Sequence, residues 1–200
     1  MFHVRHPNVR SSSCLPTVYS QHGTDAETAC LGGVIISYLS PLLAIIVGIV
    51  HAALAPVIVV GGVKPNLVLV AVVLVTLLFG LLPGITWAFT AGLTANLLVG
   101  DPLGSIPLAM LLVAVLVAGG ARMLGHVGWV YPIAATFAGS IVADLVALGI
   151  SQLVTDAAAT AIPVDLIIAA ATLNAAIAGL LLYPARLLAA RYVADEAPAW

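Results

Sequence analysis

Three polar side chains lie deep inside otherwise apolar stretches, and any intramembrane chemistry would fall to them: His51, Asp144 and Asn174. An ionisable group at the centre of a membrane helix costs at least ~2.5 kcal/mol on insertion scales, so Asp144 requires protein or water beside it, not lipid. Counted inward from apolar-segment ends expected at Val60, Gln152 and Asp165, all three come out at one depth, roughly 12 to 14 Å at 1.5 Å per residue. An imidazole, a carboxylate and an amide at one level form a polar layer. Its first reading is mutual hydrogen bonding between helices, and its second is a pocket for an ion or a small ligand. No other residues have the spacing of a reaction centre. His-Glu-x-x-His, Walker A, Gly-x-Ser-x-Gly and Cys-x-x-Cys are absent from the sequence. Cys14 and Cys30 have no metal-ligand spacing and are too few for a disulfide framework, which makes them free thiols. No catalytic role, cofactor or metal is expected.

The elements that carry these groups are membrane helices. No Asp, Glu, Lys or Arg occurs between Glu27 and Lys64, Lys64 and Asp101, Asp101 and Arg122, Arg122 and Asp144, or Asp165 and Arg186. A bilayer core takes roughly 20 apolar residues per helix, so runs of this length and purity mean repeated crossing. The composition, 62% hydrophobic and 7% charged, excludes a soluble domain, which carries about 25% charged residues. Eight acids and six bases spread along the chain make no basic stripe for nucleic acid.

Gly and Pro clusters divide the apolar sequence. A polar segment, residues 1–33, reads as a disordered tail with no apolar core of a signal peptide. Apolar spans follow at 34–60, 66–82, 83–99, 105–124, 129–152 and 165–183, and a short tail at 191–200 ends the chain. The division at 82/83 rests on Gly80, Pro83 and Gly84, residues typical of a tight helix connection. Six spans place both termini and the second and fourth loops on one side. That side holds Arg5, Arg10, Arg122, Arg186 and Arg191 against Lys64 on the other, the asymmetry of cytoplasmic termini. Trp87, Trp129 and Tyr131 read as interfacial anchors, and His126 as a loop group near headgroups.

The segment Lys64-Pro65-Asn66-Leu67, through Gly92-Leu93-Thr94-Ala95-Asn96-Leu97, to Gly100-Asp101-Pro102-Leu103-Gly104 resembles the middle of the rod shape-determining protein MreD family. That family opens its second helix with Pro-Asp-Leu, carries Gly-Leu-x-x-Asp-Leu on its third, and turns into its fourth through Pro-Leu-Gly. Asn66 and Asn96 stand here for its acidic residues, which keeps the polar shape and removes the charge. The resemblance implies an all-α integral membrane protein, a six-helix bundle similar to the substrate-binding component of energy-coupling-factor transporters. It implies a non-enzymatic scaffold of the bacterial inner membrane, associated with an MreC-like protein and through it with the RodA glycosyltransferase and a penicillin-binding protein. The alternative from the second likeness is a vitamin-binding subunit of an importer. Gly92, Asn96, Asp101, Pro102 and Gly104 are the candidate motif. Gly92 provides a small-residue face for packing within the bundle or for a partner, and Asn96 a bond across helices or a helix end. Association of two copies into a homodimer is left open by the sequence.

Overall fold

The computed structural model describes residues 23–54, 57–59, 62–100, 102–124, 128–155 and 163–194, with side chains described for 39–123, 128–154 and 163–188 of these. Six helices are present among them: α1 (Gly23–Leu54), α2 (Leu67–Phe79), α3 (Leu81–Val99), α4 (Ser105–Leu124), α5 (Val130–Thr155) and α6 (Val164–Ala194). Four of the described helices hold apolar stretches long enough to cross a membrane: Leu81–Val99, Ser105–Met123, Val130–Val154 and Val164–Leu188. The chain is an all-helical, multi-pass membrane protein. It divides into two compact units, Met1–Ile36 and Ser37–Trp200, and the helix packing is that of the second.

Helix α2 is the centre of this packing. It lies against α3, α4, α5 and α6, and Val68, Leu69, Val70, Val72, Val73, Leu74 and Thr76 are buried. Only 13 residues long, it extends about 20 Å at 1.5 Å per residue. Its sequence is apolar all round, as required of a helix enclosed by others. The core divides along it, with Val68, Leu69, Val72 and Val73 facing α3, α4 and α5, and Val70 and Leu74 meeting Ala178 and Leu182 of α6.

The α3 helix packs through a face of small residues: Gly84, Ala88, Ala91, Gly92, Ala95 and Asn96 are buried. Lipid tails provide no hydrophobic drive between helices, so close backbone approach through small residues has to provide the contact. A Cβ at Gly48 of α1 would lie 2.8 Å from the Ala91 carbonyl oxygen, and one at Gly84 would overlap the Thr76 hydroxyl of α2.

Several boundaries differ from the sequence reading. The α2–α3 break falls at Gly80, where φ is +98° and a side chain would be strained, and Pro83 then sits in the first turn of α3, where the proline's missing N–H costs nothing. The first helix starts at Gly23 and ends at Leu54, earlier at both ends than the 34–60 expected. Its polar opening residues hid the start. Finally, α6 runs through Pro184 to Ala194, past the expected 183. Near this end the Arg186 guanidinium lies 5.0 Å from the Trp129 ring centroid and donates to the Gly128 carbonyl at 2.9 Å, and Tyr183 stacks on Trp129. A cation over an aromatic face, worth about 0.5 to 1 kcal/mol at an exposed site, ties α6 to the start of α5 beyond the proline.

Candidate functional site

Two asparagines organise the polar interior, and each fastens a connection. Asn96, in the last turn of α3, is 1% exposed. Its Oδ1 accepts the Gly104 N–H at 2.6 Å, its Nδ2 donates to the Pro102 carbonyl at 3.3 Å, and its own carbonyl accepts the Gly100 N–H at 3.2 Å. Gly104 has φ of +91°, a conformation that L side chains rarely adopt. One turn back, a Cβ on Gly92 would lie 2.9 Å from Pro107 Cα, so α3 and α4 meet backbone to backbone there. Gly92, Asn96, Pro102 and Gly104 are therefore one device, a fastened α3–α4 hairpin. The partner surface entertained for Gly92 is occupied by α4. Asp101, the fifth residue of that motif, lies outside the described residues, as do His126 and Cys14.

The second asparagine is Asn174 of α6, also 1% exposed. Its Oδ1 accepts the backbone N–H of Asn66 at 2.8 Å, and its Nδ2 donates to Ser140 Oγ of α5 at 2.8 Å. Asn66 in turn caps α2, its Oδ1 accepting the Leu69 N–H at 3.1 Å. Asn174 lies ten residues into α6, so α2 begins about 15 Å along that helix, deep in the bundle. A helix start at such depth must satisfy its N–H groups from protein, and the Asn174 and Asn66 side chains do part of that, with Ser140 holding the Asn174 amide in place.

The expected layer of His51, Asp144 and Asn174 is thus divided. Asn174 is fully engaged by Asn66 and Ser140, whereas His51 Nδ1 and Asp144 Oδ2 are buried without a hydrogen-bond partner. The depth count failed first at α1, which ends at Leu54, so that His51 lies three residues from the helix end and not nine. Rotation about each helix axis then decides the neighbour a side chain meets.

His51 and Asp144 nonetheless share one space. A cavity of about 530 Å³ is bounded by both, together with Lys64, Asn66, Ser105 and Met110. It lies where α1 and α3 end and α2 and α4 begin, against the middle of α5. An adjoining recess of about 500 Å³ shares Lys64, Ser105 and Asp144 with it and reaches Pro163 and Ile167 at the start of α6. Lys64, His51 and Asp144 make no ion pair or hydrogen bond among the described residues. No group of three potential metal-ligating side chains occurs among those residues either.

The aromatic groups expected as anchors have further roles. Trp87 Nε1 donates to Ser40 Oγ of α1 at 2.8 Å, and the Tyr131 hydroxyl donates to the Val117 carbonyl of α4 at 2.6 Å, so both brace neighbouring helices. Asn66, which the sequence marks only as part of the MreD-like motif, also carried a usable structural signal, an asparagine directly before an apolar run as helix cap. Ser140 had none, because a serine in a membrane helix is ordinary until its partner is known. Compared with known proteins, the chain has no match among family models, curated proteins or solved structures.

Proposed function

We propose that this chain is a non-catalytic scaffold of the bacterial inner membrane of the MreD type, acting with an MreC-like protein in the complex that builds peptidoglycan during cell elongation. The observation that supports this reading is the use made of the residues that carry the resemblance. Asn66 caps the central helix, and Gly92, Asn96, Pro102 and Gly104 fasten α3 to α4, so these five residues serve the shape of the bundle. A protein whose distinguishing residues set its shape acts through the surface that shape presents. The direct test is depletion in a rod-shaped host, with co-purification alongside. Loss of the protein turns rods into spheres, and an MreC-like protein co-purifies with the wild-type chain. Cells that keep their shape while losing uptake of one vitamin would overturn the scaffold and establish the importer subunit. The cavity beside Lys64 and Asp144 favours that second reading, and the lack of any Phe, Tyr or Trp in its lining counts against a flat vitamin.

The topology that goes with the scaffold has six spans and both termini in the cytoplasm. Five arginines against Lys64 support it, as does the position of Arg122 and Arg186 at the opposite end of the bundle from Lys64. In intact cells Cys14 and Cys30 are expected to resist a membrane-impermeant thiol reagent, while a cysteine introduced at exposed Lys64 reacts. Labelling of the native cysteines without permeabilisation would exclude this orientation.

A further inference from the structure

The cavity between the ends of α1 and α3 and the starts of α2 and α4 has a composition that neither fastening nor packing explains. It brings one ammonium (Lys64), one carboxylate (Asp144), one imidazole (His51) and one hydroxyl residue (Ser105) to a single space, with Ile106, Ala109 and Met110 as apolar wall. Its volume of about 530 Å³ falls within the roughly 300 to 1,000 Å³ typical of small-molecule sites. Asp144 Oδ2 and His51 Nδ1 are cut off from surrounding solvent yet have no partner, and a buried polar atom left so costs about 1 to 3 kcal/mol. Native structures rarely leave two such atoms unmet, and both side chains belong to residues that border the cavity.

The charges restrict what that can be. A free metal cation would find one carboxylate and one imidazole beside the neutral oxygens of Asn66 and Ser105, and would face the repulsion of Lys64. A simple anion would be met by Lys64 and repelled by Asp144. A flat aromatic ligand would find no Phe, Tyr or Trp face on which to stack, only the edge or face of the single His51 imidazole. A molecule with both charges satisfies the site: its anionic group pairs with Lys64, its ammonium donates to Asp144, and the imidazole, as donor or acceptor, serves either end.

We propose that this cavity binds a small zwitterion carrying a primary ammonium and an anionic group, held between Asp144 and Lys64. Such a group reaches the site either as a free solute or as the headgroup of an ethanolamine phospholipid. The shared chemistry is the paired charge, and the proposal stands on the cavity alone, independent of the scaffold reading.

The test uses the full chain in nanodiscs of phosphatidylglycerol, which has no ammonium. Phosphoethanolamine and β-alanine are titrated as free zwitterions, and in a second arm phosphatidylethanolamine is mixed into the disc. Thermal unfolding and native mass spectrometry are the readouts. The wild type is expected to melt several degrees higher with at least one probe and to retain it as a bound adduct. A response to the free compounds identifies a solute site, and a response to the lipid alone identifies a headgroup site. Lys64→Gln and Asp144→Asn should each weaken the response at least tenfold while melting unliganded like the wild type. Choline phosphate, whose quaternary ammonium cannot donate to Asp144, should act weakly. No response to any of the three probes overturns the proposal, as does an equal response in both variants. If both variants melt lower without ligand and no probe acts on the wild type, Lys64 and Asp144 serve the fold and not a ligand, and the proposal is likewise overturned.

Discussion

Substituting Asn174→Leu is expected to destabilise the bundle by about 2 to 4 kcal/mol, because one side chain holds two buried contacts and leucine can hold neither. The Asn66 N–H, which has Asn174 Oδ1 as its acceptor at 2.8 Å, would be stranded at the start of α2, and Ser140 Oγ would lose its donor. A buried donor left unmade costs about 1 to 3 kcal/mol, and an interhelical bond in membranes contributes about 0.6 kcal/mol on average, so the stranded N–H carries most of the loss. Ser140→Ala removes only the second contact and should cost well under half as much. Unfolding of the two variants in a denaturing-detergent titration, followed by circular dichroism, decides the matter. Equal midpoints for Asn174→Leu and Ser140→Ala would mean that the start of α2 does not depend on Asn174. The damage should also be local at first, with amide exchange accelerated at Leu69 and Val70, because the helix most enclosed by others would lose its anchored end.

Gly92→Leu should have the larger effect still, and should prevent accumulation of folded protein. The added Cβ would lie 2.9 Å from Pro107 Cα and 3.2 Å from Pro107 N. Those are backbone atoms of α4, held within a turn that Asn96 fastens, so neither can rotate away as a flexible side chain would. Overpacking of a core costs typically 1 to 3 kcal/mol where side chains can adjust, and a clash with fixed backbone lies above that range. The control is Gly119→Leu on α4, where a Cβ meets nothing within 4 Å and the position is exposed on the outside of the bundle. That variant should express and melt like the wild type, which separates the α3–α4 contact from any general penalty of leucine for glycine. Normal yield and melting of Gly92→Leu would show that α3 and α4 do not meet backbone to backbone. The same geometry excludes Gly92→Leu as a probe of partner docking, since any loss of a partner would follow from loss of the hairpin.

Membrane character and the approximate positions of the helices were legible in the sequence, and for a local reason. Whether a segment enters a bilayer depends on the summed transfer cost of consecutive residues, so uninterrupted runs such as those between Lys64 and Asp101 or Asp165 and Arg186 suffice. Glycine at the connections is local as well: Gly80 and Gly104 take positive φ, and that freedom belongs to the residue itself. The start of α1 at Gly23 escaped the same reasoning because hydropathy marks apolar residues and not helical ones.

Which polar atoms meet was decided only by the tertiary structure. His51, Asp144 and Asn174 look equivalent along the chain, each a lone polar residue in an apolar run. Each residue turns a helix by about 100°, so partners depend on rotation, tilt and neighbours, none of which a count along the sequence contains. The fold turns Asn174 toward the buried start of α2, where Asn66 and Ser140 engage both ends of its amide. It turns Asp144 and His51 toward the space beside Lys64 and leaves a polar atom of each unmet. Likewise α2, as apolar as any segment of the chain, is the enclosed centre of the bundle, with α3, α4, α5 and α6 around it, a placement that a count of apolar residues does not contain.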